Sequence, residues 1–274
     1  DMRFEPRTPD TEINVSKTHP LVEASTLLLG LIGLLALITV LIVFAIEILI
    51  RFIPAKKEVE WFSDWTRVET LQSGHPHAEA VADLLERMVA HWPETQYQFR
   101  LEISDDPIPN AMALPGGLII VTSGLLEQID SENALAVVLS HELGHFHNRD
   151  HIRQLGRFAA IGLFYSAVSS SRGNTALGYN VTDLTLRGFS RAQEREADQF
   201  GLELVEKEYG HIGEALQFFE RLSDERESGI RWDNYLGTHP DPQNRISELT
   251  LLAEQNGWRL SGTALNWPPT TSAE

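Results

Sequence analysis

Twenty consecutive uncharged residues, Leu27 to Ile46, constrain this chain more than any other stretch. At about 1.5 Å per residue, a helix of that length reaches roughly 30 Å, the thickness of a bilayer's hydrocarbon core. A core helix of a soluble protein rarely stays apolar on every face for so long. A signal peptide has a shorter apolar region and a small-residue cleavage site, and the sequence shows no such site after the run. The run is therefore predicted to cross a membrane once, within residues 26–53, which would make the lipid bilayer a partner. Glu47 closes it, and Arg51, Lys56, Lys57, Trp61 and Trp65 follow as interfacial anchors. The N-terminal flank carries Arg7 and Lys17, and the C-terminal flank carries Arg51, Lys56, Lys57 and Arg67. Basic residues are enriched on the cytoplasmic side, so the flanks lean towards a cytoplasmic C-terminal portion. The expected location is a cell membrane, with the bacterial inner membrane as the simplest setting.

The remainder divides by composition into a polar tail (1–25), a juxtamembrane linker (54–73), a globular portion (74–257) and a C-terminal tail (258–274). A net charge of −17 argues against nucleic acid as a partner. The chain has no cysteine, so any metal must be held by His, Asp or Glu. Helical spacing of Val81, Leu84, Leu85, Met88 and Val89 predicts a helix over His77–Trp92, and alternation predicts a strand within Gln96–Ile103. A loop from Ile108 to Gly117 leads into the β-branched strand Leu118–Thr122. Asp130 or Ser131 caps the next helix. Phe158–Val168 reads as a core helix in preference to a membrane-dipping hairpin, because it is too short to span. Ser169–Gly178 reads as a flexible loop, followed by helices at Arg191–Lys207, Ile212–Glu225 and Pro242–Asn256. The residues from Trp267 onwards read as disordered. The class is α+β, mainly helical, with a small sheet.

The capped helix carries His141-Glu142-Leu143-Gly144-His145. Residues four apart share a helix face, so both imidazoles can reach one ion, while Glu142 sits beside that ion as a base for water. The segment before it, Asn133 to Leu139, is strongly apolar, and two histidines and a glutamate on a buried helix need partners. Zinc is the metal this pattern favours, one per chain.

A catalytic zinc site needs a third protein ligand. His151 completes a His-Glu-x-x-His-x-x-Asn-x-x-His spacing, with Asn148 where the metzincin pattern has glycine, a residue that tolerates a left-handed turn. That pattern also wants a downstream methionine, and Met2, Met88 and Met112 all lie upstream. The other candidates are Glu194 and Asp198, four apart on one face of Ser190–Asp198. One could bind the metal while the other holds a ligating imidazole. Glu196 points away from them, and the small Ala197 and Gly201 would let two helices approach closely.

His-Glu-Leu-Gly-His followed by Ser190-Arg191-Ala192-Gln193-Glu194-Arg195-Glu196-Ala197-Asp198 resembles the HtpX, BepA and Ste endopeptidase family of membrane-associated zinc metallopeptidases. Asn110–Gly117 is similar to the segment entering the strand upstream of the metal helix in that family. Thr238-His239-Pro240 with Arg245 resembles its C-terminal signature. The likeness covers nearly all of the portion after the span. It implies a zincin-type domain with zinc on His141, His145 and Glu194, Glu142 as base and Asp198 behind a ligand. A single N-terminal span is closest in layout to stress-peptidase-like members.

His239 has two readings: near the metal, stabilising an oxyanion or capping the zinc, or in a turn that starts the helix carrying Arg245. The strand Gly117-Leu118-Ile119-Ile120-Val121 is expected either as an edge that a substrate peptide extends or as a plain core strand. The expected function is a membrane-anchored zinc endopeptidase acting on polypeptides near the membrane, in protein quality control by family analogy. A partner membrane complex or a homo-oligomer is compatible with it. The alternatives are a zinc-stabilised, non-catalytic client-binding module and a latent peptidase gated by Phe158–Val168 and its sequel.

Overall fold

Helix α1 (Pro20–Ile50) opens the fold, with Pro20 in its first turn and His19 Nδ1 accepting the Leu21 N–H at 3.3 Å. None of its most apolar window is buried against protein, and among the described residues it is the one helix long and apolar enough to cross a membrane. The computed structural model describes residues 18–62, 75–168, 188–213, 215–220, 235, 237, 239 and 242–268. The expected loop Ser169–Gly178 and most of the stretch from 221 to 241 lie outside them.

The fold is α+β and mainly helical. After α1 come α2 (Ala55–Phe62), α3 (Ala78–Ala90), β1 (Arg100–Ser104), β2 (Ala111–Leu114), β3 (Leu118–Thr122), α4 (Ser123–Gln128), α5 (Glu132–Asn148), α6 (Asp150–Val168), α7 (Arg191–Tyr209) and α8 (Pro242–Asn256). Residues 215–220 are also helical. The sheet has the order β1-β3-β2, with β1 parallel and β2 antiparallel to β3. Gly116 and Gly117, at φ 87° and 83°, make the tight β2–β3 turn in a region that side-chain-bearing residues avoid.

This topology corrects one expectation. Gly117–Val121 leads into and forms the central strand, hydrogen-bonded on both sides, so it offers no free edge to a substrate. Its unbroken Leu-Ile-Ile-Val run, buried at every position, is what a strand covered on both faces requires. The edges among the described residues are β1 and β2.

Helix α5 runs through the middle of the core and is buried from Glu132 to Phe146. Ser131, not Asp130, caps it, with Oγ accepting the Ala134 N–H at 3.1 Å. The expected C-terminal tail is partly structural. Leu265 O accepts from Glu132 N at 2.9 Å, Leu265 N donates to Asn133 Oδ1 at 2.7 Å, and Trp267 is buried.

The expected linker is also partly docked. Glu58 of α2 is fully buried, with Oε1 accepting from Gly116 N at 3.1 Å and Oε2 from Tyr97 Oη at 2.7 Å. Arg149 donates to Oε2 at 2.8 Å, and His151 Nε2 lies 2.7 Å from Oε1. The second half of α6 is not the expected core helix. Ile161 and Leu163 are 53% and 61% exposed, while α6 packs along α1.

Candidate metal centre

Two helices build the site. Where α5 and α7 cross, a Cβ on Gly144 would lie 2.4 Å from Ala197 O, and one on Gly201 would lie 2.9 Å from His141 N. The glycine inside the His-Glu-Leu-Gly-His motif and the small residues on α7 thus bring the two backbones into contact. Helix α7 begins with a capping box: Ser190 Oγ accepts from Gln193 N, and Gln193 Oε1 accepts from Ser190 N. That box sets the phase of α7, so that Glu194 and Asp198 turn inward and Glu196 is exposed.

The donor atoms of His141, His145, Glu194 and His239 lie within 4.8 Å of one another, all buried. Glu194 Oε2 is 3.6 Å from His141 Nε2, and Glu194 Oε1 is 3.6 Å from His145 Nε2. His239 Nδ1 is 3.0 Å from His141 Nε2 and 3.2 Å from Glu194 Oε1. The opposite ring nitrogens are held from behind. His141 Nδ1 donates to Asp198 Oδ1 at 2.8 Å, and His145 Nδ1 donates to Asp150 Oδ2 at 3.0 Å. Arg245 grips Asp198 with Nε at 2.8 Å from Oδ2 and Nη2 on Oδ1, and its Nη1 lies 3.2 Å from Glu194 Oε2.

These residues fit a divalent metal ion. In the neutral rings, with Asp198 and Asp150 taking the Nδ1 protons, the Nε2 lone pairs of His141 and His145 face each other at 3.1 Å, so that without a metal one of them must take up a proton. Two lone pairs cannot hydrogen-bond, whereas a cation between them satisfies both. Four buried carboxylates, Glu142, Asp150, Glu194 and Asp198, share the region with one buried guanidinium, Arg245, which leaves negative charge in excess. Burial and the Arg245 charge push His141 down against the pull of Asp198 and Glu194. Burial also opposes charge on His145, but Asp150 and Glu194 outweigh it and carry His145 up to about 10. Burial would raise Glu194, yet the His239 charge, the bonds with His145 and His239, and Arg245 hold it well below the usual carboxylate range. The cluster therefore favours bound positive charge.

Glu142 stands apart. Both of its oxygens are buried without a hydrogen-bond partner, and His239 Nε2 lies 3.5 Å from Oε1.

The fold thus gathers His141, Glu142, His145, Glu194, Asp198 and His239 into one buried centre. It does not include His151, which is bound to Glu58. Nor does the metzincin turn form: the left-handed residue is Arg149, at φ 60°, and not Asn148. Arg149 caps α5 through its N–H to Phe146 O, and its guanidinium reaches Ile50 O and Ile53 O.

Sequence reasoning missed Asp150, Gln193, which donates to Asp150 at 2.7 Å, and Phe189, which stacks on His145 at 3.8 Å between centroids. Asp150 lies past the end of α5, so helical periodicity does not reach it. The capping-box form of Ser190–Gln193 was the one signal available for Gln193.

Residues 75–253 match the sequence profile of Peptidase family M48. The chain is 29% identical over 181 residues to the mitochondrial metalloendopeptidase OMA1 of Schizosaccharomyces pombe, covering 65% of this chain and 54% of that protein. It is 28% identical over 182 residues to the beta-barrel assembly-enhancing protease of Escherichia coli K12, covering 62% and 37%. It is 35% identical over 159 residues to OMA1 of Arabidopsis thaliana, covering 56% and 31%. The chain spans about half or less of the length of these relatives. With the profile matched over most of its length and the ligand cluster in place, this chain belongs to peptidase family M48.

Proposed function

We propose that the protein is a membrane-anchored, zinc-dependent endopeptidase that hydrolyses peptide bonds of polypeptides at or near the bilayer. His141, His145 and Glu194 would hold the zinc. A donor set of two imidazoles and one carboxylate, with no thiolate, suits a catalytic zinc. When bound, zinc supplies a Lewis acid that polarises a carbonyl and lowers the pKa of water to about 7. Glu142 takes the proton from the attacking water and passes it towards the leaving amine. Asp198 and Asp150 fix the tautomers of His141 and His145, and Arg245 keeps Asp198 ionised. The sheet edge that would take a substrate backbone is β2, the edge strand packed against α5, and not β3.

The observation that carries this reading is Glu142. A buried carboxylate without a hydrogen bond to either oxygen costs several kcal/mol. A zinc site that only stabilises a binding module has no use for it, whereas a base that must accept a proton does. Glu142→Gln tests it directly: bound zinc is retained and cleavage of a denatured protein substrate is lost. Full turnover by a zinc-loaded Glu142→Gln protein would leave the client-binding reading in its place.

His239 supports a resting form of the same enzyme. Its Nδ1 sits among the ligand atoms where a catalytic zinc keeps an open position. It would cap the metal at rest and, once displaced, face the oxyanion. A role in quality control, a single-pass anchor within residues 26–53 and a cytoplasmic catalytic portion complete the proposal. The last of these is supported by the flanking basic residues.

A further inference from the structure

Helix α6 leaves the metal centre directly, since Asp150, which holds His145, is its first residue. From there it runs antiparallel along α1. Arg149 Nη1 meets Ile50 O at 3.0 Å, and Arg153 Nε lies 3.4 Å from Glu47 Oε2. Arg157 Nε donates to Glu47 Oε1 at 2.8 Å, and a Cβ on Gly156 would lie 2.6 Å from Ile46 Cγ2. Ala160, one turn beyond Gly156, is buried. Small residues four apart allow close helix packing where no hydrophobic force holds helices together.

The charges on the two helices end at the same level. Glu47 is the first charge after the uncharged run of α1, and Arg157 is the last before the uncharged stretch Phe158–Val168. The two are paired with each other, so neither enters an apolar medium alone. Past this level α6 turns Ala159, Ile161, Leu163 and Ala167 outward, next to the exposed apolar surface of α1. From Gly156 to Val168 the helix rises about 18 Å, out of a hydrocarbon core of roughly 30 Å.

We infer that α6 is a second membrane-embedded element: from Phe158 onwards it lies beside α1 in the acyl-chain region and enters the bilayer without crossing it. The occupant of its outer face is lipid, because that face continues the lipid-facing surface of the span and begins where both helices lose their charges. This rests on reading α1 as the membrane span. It sets the metal centre at the bilayer surface, since Asp150 and Gly156 are separated by about 9 Å of helix. The substrates favoured are polypeptide segments emerging from the membrane.

Because the chain has no cysteine, single substitutions carry spin labels cleanly. The full chain, reconstituted in phosphatidylcholine vesicles, would be labelled in turn at Ala159→Cys, Leu163→Cys, Ala167→Cys, Leu34→Cys and Glu196→Cys. Collision rates with oxygen and with water-soluble chromium oxalate would then be compared. All five positions are exposed, so folding is undisturbed. The oxygen-to-chromium ratio should rise from Ala159 to Ala167, match Leu34 at the deeper sites and exceed Glu196 several-fold.

A Leu163 label that behaves like Glu196 while Leu34 remains in lipid would overturn the inference and leave the anchor intact. Labels on α6 shielded from both reagents would also overturn it, by showing a protein surface over that face. An aqueous signal at Leu34 would bring down the reading of α1 instead.

Discussion

Two buried clusters of histidine, arginine and carboxylate flank the C-terminal half of α5. They are made of the same residue types and differ in how their polar atoms are used. Around Glu58 both carboxylate oxygens are met, by Gly116 N, Tyr97 Oη, Arg149 and His151. Around Glu194 the Nε2 atoms of His141 and His145 converge at 3.1 Å, and Glu142 has no hydrogen-bond partner for either oxygen. A buried carboxylate met at both oxygens is closed to further ligands, even though His151 Nδ1 and Arg149 Nε beside it lack a partner, whereas one met at neither keeps its accepting capacity. That difference separates a structural dock from a cluster that could hold a metal, and His151 belongs to the first.

Breaking the open cluster should have the larger effects. Glu142→Gln is expected to lower turnover by roughly 10²–10⁴-fold, the range for a general base, with the metal content unchanged. Glu194→Ala should lose bound zinc in atomic-absorption measurements, while His151→Ala keeps it. The reverse pattern would exchange the roles assigned to the two clusters.

In the closed cluster, Glu58→Ala removes one partner from a buried charge network and should destabilise the fold by about 3–5 kcal/mol in denaturant unfolding. Its zinc content should stay the same. Asp150→Asn and Asp198→Asn weaken groups that only orient ligands, so zinc affinity should fall by about 10–100-fold without abolishing the site.

Acid tests the dock separately. Burial would raise Glu58, but His151, Tyr97 and Arg149 bring it down to about 2, from an ordinary value of 4.5. A depressed carboxylate contributes stability above its unfolded pKa and loses it as pH falls through the folded one. Protease sensitivity of α2 should therefore appear as pH drops from about 4.5 towards 2, and Glu58→Gln should remove much of that dependence. A flat profile in the wild-type protein would count against the network.

Local periodicity made part of this legible in advance. The i, i+4 spacing of His141 and His145, and of Glu194 and Asp198, put each pair on one face before any fold was known. The continuous apolar character of Leu118–Val121 suits a central strand, but strand order is not a local property, so the run alone is compatible with an edge or a core position. His151 and Glu194 were both available as third ligands, because spacing states what can reach an ion and not what is held elsewhere.

The chain's sequence alone determined a long uncharged helix, a buried helix with a metal motif and a second helix with carboxylates in phase, because each is written in residues a few positions apart. Tertiary structure decided that Glu58 claims His151, that Asp150 stands behind His145, that β3 is interior and that α6 runs along α1. Those outcomes join residues far apart in the chain, and only packing determines which of several compatible partners arrives.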